Sequence, residues 1–239
     1  MINYAHRGAS EYAPENTLSS FYLGLIMGAN GIETDVQRTC DGELVLFHDD
    51  AVHRVSNGKG RIADLTLEEL RSLEIRGNAT CGFYDRILTL REFLEKFSDY
   101  GISFAIELKG EGVEEDTLKM IKEFGCFERT TFTSFKFEYI KKIKELCPEA
   151  RIGWLVVEGT EEEIQQLLSI GGEEIAPKAD AITADTVKKW RGFGLGVRAW
   201  GVSSVALMKN MCELSVDGMT VNFPDRLYQY LNSENKREK

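Results

Sequence analysis

Gly31-Ile32-Glu33-Thr34-Asp35-Val36-Gln37-Arg38-Thr39-Cys40-Asp41-Gly42-Glu43-Leu44-Val45-Leu46-Phe47-His48-Asp49 reads as two short strands joined by a turn, with charge where a buried element should be apolar. Glu33 and Asp35 stand two apart among Ile32, Thr34 and Val36. Along a strand, residues i and i+2 share a face, so both carboxylates leave the backbone in the same direction. Ionised and buried side by side, they repel each other and lose hydration, and a bound cation or basic partners relieve both penalties. Asp41-Gly42 turns the chain, and Leu44 to Phe47 runs into His48. The stretch predicts a metal site built beside a titrating histidine.

Working outward, Ile2 to Ala5 is an apolar run ending in His6-Arg7-Gly8, a strand feeding a loop. After Pro14-Glu15-Asn16-Thr17 comes a helix through Met27, with Leu18, Phe21, Tyr22 and Leu25 at helical spacing, Asn16 as its N-cap and Gly28 as its stop. From Asp50 to Leu88 the pattern loosens into a turn at Asn57 to Gly60, a short helix over Leu65 to Leu73 and a Gly-containing loop from Arg76 to Asp85. This segment reads as an insertion. Beyond it, helices are expected at Thr89–Phe97, Val113–Phe124, Lys136–Leu146, Thr160–Ile170, Asp185–Arg191, Ser204–Met211 and Pro224–Leu231. Between them fall strands Ser103–Leu108, Thr130–Phe135, Arg151–Val157, Ala181–Thr183, Gly196–Val202 and Gly218–Val221.

About eight β-then-α units predict an α/β protein of the closed (β/α)₈ TIM-barrel type, which typically needs about 250 residues. An open doubly wound sheet is the alternative. It is weakened because no Gly-x-Gly-x-x-Gly follows a strand. Without a linker or a further repeat, residues 1–239 read as a single domain carrying an insertion at about 49–88.

The net charge of −10 over 239 residues leaves no basic surface for phosphate backbones, so nucleic acid is not an expected partner. The one dense basic run, Lys136 to Lys144, reads as the solvent face of a helix, with Phe137, Ile140 and Ile143 turned inward. Cys40, Cys81, Cys126, Cys147 and Cys212 are scattered and odd in number, with no Cys-x-x-Cys, which predicts reduced thiols in a cytoplasmic protein. Met1 to Gly8 lacks a basic region followed by an apolar run, so no signal peptide is expected. No apolar stretch approaches the ~20 residues of a membrane helix, so no stable membrane insertion is expected either. The charged tail Asn232 to Lys239 is expected to fray.

On the barrel frame the polar outliers converge. His6 and Arg7 follow strand one, Glu33 and Asp35 lie on strand two with His48 after its extension, and Glu107 and Lys109 end strand three two residues apart. Barrel active sites sit at the C-terminal ends of the strands, so charges from three consecutive strands meet on one rim. Glu33, Asp35 and Glu107 are hard oxygen ligands that favour one divalent cation, Mg²⁺ or Ca²⁺, over zinc. Arg7 and Lys109 suit a phosphate group, and His6 and His48 could serve as base and acid. His53 falls in the insertion and reads as structural or exposed. Glu15 reads as a brace for the His6 loop, Phe135 as packing at the barrel mouth, and Asp49 as a residue that turns the chain or orients a neighbour.

Taken in order, His6-Arg7-Gly8, Pro14-Glu15-Asn16-Thr17, Glu33-Thr34-Asp35, Asp41-Gly42, His48-Asp49, Glu107-Leu108-Lys109, Trp200 and Asp217-Gly218 through Asn222-Phe223-Pro224 resemble the glycerophosphodiester phosphodiesterase family. The resemblance spans the chain from near residue 3 to about residue 231. It implies a TIM barrel with its insertion after strand two, His6 and His48 as the acid–base pair, and Glu33, Asp35 and Glu107 as ligands of one cation. It also implies Arg7 and Lys109 on the phosphate. Trp200 is a rim residue for the glycerol side or a core residue, and Asn222 stands where the family often carries Asp. The reaction implied is hydrolysis of a small glycerophosphodiester to sn-glycerol 3-phosphate and an alcohol through a cyclic phosphate. A lysophospholipase D or phospholipase-C-like enzyme on the same barrel is the nearer rival, and a non-catalytic phosphate-ligand binding protein the farther one. The preferred alcohol, the choice of cation, which histidine acts first and any homo-oligomer stay open at this level.

Overall fold

The computed structural model describes residues 1–77 and 82–234. Eight parallel strands form the barrel: β1 (Ile2–His6), β2 (Gly31–Arg38), β6 (Ser103–Leu108), β7 (Thr130–Ser134), β8 (Arg151–Val156), β9 (Glu174–Pro177), β10 (Gly196–Ala199) and β11 (Gly218–Val221). β1 pairs with both β2 and β11, so the sheet closes on itself and leaves no barrel edge. Outside the barrel, β3 (Leu44–Leu46) folds back antiparallel on β2, and β4 (Ile75–Arg76) pairs with β5 (Tyr84–Asp85) in a separate ribbon.

The helices are α1 (Leu18–Ile26), α2 (Leu67–Arg71), α3 (Leu90–Phe97), α4 (Glu114–Glu123), α5 (Phe137–Leu146), α6 (Glu161–Ser169), α7 (Ala184–Gly192), α8 (Val205–Glu213) and α9 (Pro224–Glu234). Local sequence starts them. Thr66, Thr89 and Thr160 each accept a hydrogen bond from the backbone N–H three residues on, while a Glu at that position reaches back to the cap. Leu90, Phe93, Leu94 and Phe97 then put one buried stripe of α3 against the barrel. There Phe93 meets Phe21 of α1 edge-on, with ring centroids 4.8 Å apart.

The main core lies between the outer faces of the strands and the helices, from Phe21 and Ile32 round to Val221 and Leu227. A second core lies in the insertion, where Val45, Phe47, Val52, Ile62, Leu70, Ile75 and Ile87 pack together. The insertion is therefore folded against the rim beside β2 rather than left as a long open loop.

Several sequence expectations are corrected. The sixth barrel strand is Glu174–Pro177, not Ala181–Thr183. Pro177 donates nothing, but it is the last residue of β9 and its carbonyl accepts from Trp200 N (3.2 Å). Ala181 instead closes a 3₁₀ turn, and Thr183 caps α7. The N-cap of α1 is Thr17, whose side chain accepts from Ser20 N, which leaves Asn16 free for another role. The helix expected over Leu65–Leu73 contracts to α2 behind its Thr66 cap. Within the expected Arg76–Asp85 loop, β4 and β5 pair, whereas residues 78–81, including Cys81, lie outside the described residues. The last helix continues past Leu231 to Glu234, so the start of the expected frayed tail is helical, and residues 235–239 lie outside the described residues. Cys40, Cys126, Cys147 and Cys212 are unpaired. Among the described residues, no helix is long and apolar enough to cross a membrane.

Candidate active site

Strand register assembles the site. His6 of β1 stands beside Glu33 of β2, and Asp35 of β2 stands beside Glu107 of β6. One carboxylate oxygen from each of Glu33, Asp35 and Glu107 lies within 4.8 Å of the others, and all three residues are buried. Three buried carboxylates cannot all keep their charge without cations close by. Arg7 Nε lies 3.2 Å from Asp35 Oδ2, and Lys109 Nζ lies 3.1 Å from Glu107 Oε1 and 3.8 Å from Asp35 Oδ1. Asn16 adds a neutral donor, with Nδ2 to Asp35 Oδ2 at 2.9 Å, and its Oδ1 accepts from Thr34 Oγ1 at 2.8 Å.

The backbone is bent to make these contacts. Arg7 and Asn16 both hold φ of 56°, a left-handed conformation uncommon outside glycine. The bend lets Arg7 N donate to Glu33, both to its backbone oxygen (2.9 Å) and to its Oε2 (3.1 Å).

The electrostatics divide the trio. Burial, then the neighbouring Asp35, pushes Glu33 well above the usual carboxylate range. Burial and Asp35 likewise raise Glu107 to about 7, against the opposing pull of Lys109. Burial also disfavours charge on Asp35, but Arg7, His48 and Lys109 outweigh it and hold Asp35 below its ordinary value. Asp35 Oδ1 is buried with no hydrogen-bond partner. A buried anionic oxygen left unbonded beside two more carboxylates is a donor set that fits a hard divalent cation. The trio can therefore hold a metal ion.

The two histidines are braced differently. His6 Nδ1 lies 2.6 Å from Asn222 Oδ1, and its Nε2 lies 3.9 Å from Glu33 Oε2. Burial, followed by the Arg7 charge, lowers His6 to about 4. His48 Nδ1 lies 2.6 Å from Asp49 Oδ1. Asp49 also binds Arg54, whose guanidinium continues to Glu15, and Glu15 returns to Arg7. Partial burial works against the Asp49 charge, but the bonds from Arg54 and His48 prevail and hold it down at about 2.

A cavity of about 190 Å³ opens beside these groups. His6, Arg7, Glu33, His48 and Glu107 line one side, and Phe135, Leu155 and Trp200 form an apolar side. Phe135 and Trp200 meet edge-on with centroids 5.0 Å apart, and Trp200 is fixed by Nε1 donating to Val156 O at 2.8 Å.

The structure thus brings His6, Arg7, Glu33, Asp35, His48, Glu107, Lys109 and Trp200 to one end of the barrel, while His53 is exposed in the insertion. Sequence reasoning missed three members. Asn16 hides behind its helix-start pattern. Arg54 lies in the irregular insertion, where no period places it. Arg198, 1% exposed, also lines the cavity, and its signal was an arginine at the same strand parity as Trp200 within an apolar strand.

Residues 6–226 match the glycerophosphoryl diester phosphodiesterase family. A glycerophosphodiester phosphodiesterase of Caldanaerobacter subterraneus subsp. tengcongensis is 35% identical over 231 residues, covering 93% of this chain and 94% of that protein. A glycerophosphodiester phosphodiesterase of Bacillus altitudinis is 33% identical over 236 residues, covering 93% and 95% respectively. An Oleispira antarctica phosphodiesterase, solved in complex with the product sn-glycerol-3-phosphate, superposes with a TM-score of 0.88 at 28% identity, covering 96% of each chain. With its closed eight-stranded barrel and this match along most of its length, the chain belongs to the glycerophosphoryl diester phosphodiesterase family of enzymes.

Proposed function

We propose that the chain hydrolyses glycerophosphodiesters to sn-glycerol 3-phosphate and an alcohol, using His6 and His48 for proton transfer and one divalent cation, Ca²⁺ or Mg²⁺, at Glu33, Asp35 and Glu107. The observation that carries this reading is the unbonded Asp35 Oδ1 at the centre of the acidic trio, with both histidines lining the adjoining cavity. When bound, such a cation supplies Lewis-acid stabilisation of the charge that grows on the phosphate and on the attacking hydroxyl.

The bracing of the histidines supports an order of events. Asn222 Oδ1 accepts from His6 Nδ1–H, which leaves His6 Nε2 as the free base. A neutral amide does little for an imidazolium. A carboxylate does much, and Asp49 sits on His48 Nδ1. His6 therefore takes the proton of the glycerol C2 hydroxyl as its oxygen attacks phosphorus. His48 gives a proton to the departing alcohol oxygen as its bond to phosphorus breaks. The product is a five-membered cyclic phosphate across C2 and C3. In the second half His48 takes a proton from water, the water oxygen attacks phosphorus, the C2–O–P link breaks, and His6 returns its proton to the C2 oxygen.

Arg7 and Lys109 hold the phosphate oxygens, with their positions preset by Asp35, Glu15 and Glu107. Trp200 lies along the carbon side of the glycerol. A lysophospholipid is the rival substrate, favoured by Phe135, which is 44% exposed at the cavity mouth.

The test is turnover of glycerophosphocholine with and without a chelator, followed by Ca²⁺ or Mg²⁺ added back, in the native chain and in His6→Ala and His48→Ala. Chelation should abolish turnover, and each variant should lower kcat by about two to four orders of magnitude. Full turnover in the chelated enzyme would remove the cation from the reading, and a change confined to KM would remove the histidines.

A further inference from the structure

Arg198 sits in a part of the barrel that the proposed chemistry does not use. Its side chain is 1% exposed and is among the largest wholly buried side chains. Nε donates to Glu174 Oε1 at 2.8 Å, and the guanidinium carbon lies 5.6 Å from the centre of the Tyr4 ring. Nη2 is buried and has no hydrogen-bond partner among the described residues. A buried donor left unpaired is costly, and more so when it is charged.

The surrounding barrel is cut back to accommodate this group. A Cβ on Gly153 would lie 2.5 Å from Glu174 Oε1, and one on Gly31 would lie 2.6 Å from the Tyr4 ring. Gly153 on β8, beside β9, and Gly31 on β2, beside β1, thus leave room for Glu174 and Tyr4, the two side chains that hold Arg198 in an interior otherwise filled by side chains. Arg198 and Thr220 line the cavity together with Trp200 and Leu155, and the bond from Arg198 runs to Glu174, the first residue of β9, away from the C-terminal ends of the strands.

We propose that Arg198 donates a hydrogen bond to the C1 hydroxyl of the substrate's glycerol, so that it selects diesters with an unacylated glycerol over lysophospholipids. This rests on the function proposed above. In that chemistry the C2 oxygen attacks and the C3 oxygen carries phosphorus, so the C1 hydroxyl alone among the glycerol oxygens has no assigned partner. Arg198 in turn is the cavity cation with no assigned task. Glu174 already balances its charge, so the guanidinium offers a directed donor without demanding an anion, which suits a neutral hydroxyl. An acyl chain on that oxygen would have to pass through the Tyr4–Glu174–Arg198 floor. A site built to hydrogen-bond a hydroxyl discriminates strongly against an analogue that lacks it, because its own polar group is then left unpaired.

The experiment compares glycerophosphocholine with 2-hydroxypropyl phosphocholine, which keeps the attacking hydroxyl and lacks the C1 hydroxyl. Both are measured with the native chain, with Arg198→Met, and with Arg198→Met/Glu174→Gln, which removes the buried charged pair together so that no lone carboxylate is stranded. The native enzyme should prefer glycerophosphocholine by about ten- to a hundredfold in kcat/KM, the worth of one hydrogen bond from a charged donor. In whichever variant folds by circular dichroism, that preference should fall to within about threefold of unity, through loss on glycerophosphocholine alone. A folded variant that keeps the full preference, or that loses both substrates equally as a phosphate-binding arginine would, overturns the proposal. A native enzyme that turns over neither diester fails the parent reading instead, and one that turns over both equally fails this proposal alone.

Discussion

His48 and Asp49, neighbours in sequence, face each other through Nδ1 and Oδ1 at 2.6 Å, so one residue both ends the β3 extension and orients the imidazole beside it. The carboxylate fixes the tautomer with Nδ1 protonated, which leaves Nε2 for the cavity. Asp49→Asn keeps the shape but can present its NH₂ to Nδ1 and reverse the tautomer. It should lower kcat by about ten- to a thousandfold with KM little changed. Asp49 also binds Arg54, so Arg54→Gln, which spares the pair, should lose much less. Equal losses in steady-state assays of the two variants would mean that Asp49 acts through the Arg54–Glu15–Arg7 chain and not through His48.

Asn16 joins a strained backbone to the acidic trio. Its φ of 56° suits glycine, and its side chain donates to the buried Asp35. Asn16→Ala should cost about 1–3 kcal/mol, from the lost bond and from a conformation alanine dislikes. Asn16→Gly keeps only the first penalty and should unfold at a higher temperature than Asn16→Ala. If both variants melt with the native chain, the bond to Asp35 contributes nothing to stability.

Cation uptake should expel protons. Glu107 is raised to about 7 and Glu33 is raised as well, so below neutrality the metal-free trio carries protons that a cation must displace. The sign follows from linkage. With its folded value above the ordinary 4.5, Glu107 contributes stability that is full below 4.5 and is lost as pH rises through about 7. The metal-free chain therefore loses stability over that window, and the gain in melting temperature on adding cation should grow as the pH rises. Titration calorimetry at pH 6 in two buffers of different ionisation enthalpy should give different apparent heats. Identical heats would show that no proton leaves.

Much of this was legible in the chain because strand parity is a strict rule. Glu33 and Asp35, and Glu107 and Lys109, share faces by their spacing of two, and the β/α rhythm placed their strands side by side. What stayed hidden depended on tertiary pairing. Pro177 obscured β9 because a proline that lacks a ladder donor is tolerated there only as the last residue of the strand, an end that local sequence does not mark. Asn16 looked like a cap because a helix start and a buried amide donor ask for the same residue type, and only the structure shows Thr17 taking the first role. Arg54 reaches Glu15 across 39 positions of sequence, from a segment with no regular period.

Trp200 and Phe135 offer the sharpest separation of binding from chemistry. Phe135 meets the Trp200 ring edge-on at 5.0 Å, and the indole N–H is tied to Val156 O, so the ring is held in one orientation beside the cavity. The ring has no proton to transfer to substrate, and the apolar contact with glycerol carbons proposed for it would be the same in the ground state and the transition state. Such uniform binding changes KM and leaves kcat alone. Trp200→Leu should raise KM for glycerophosphocholine by about five- to thirtyfold, the worth of roughly 1–2 kcal/mol of lost contact, with kcat within about twofold. Trp200→Phe, which keeps an aromatic face but loses the bond to Val156, should fall between. A drop in kcat with KM unchanged would place the indole in the transition state. A gain of lysophosphatidylcholine turnover in Trp200→Leu would show instead that the ring keeps acyl chains out of the barrel mouth.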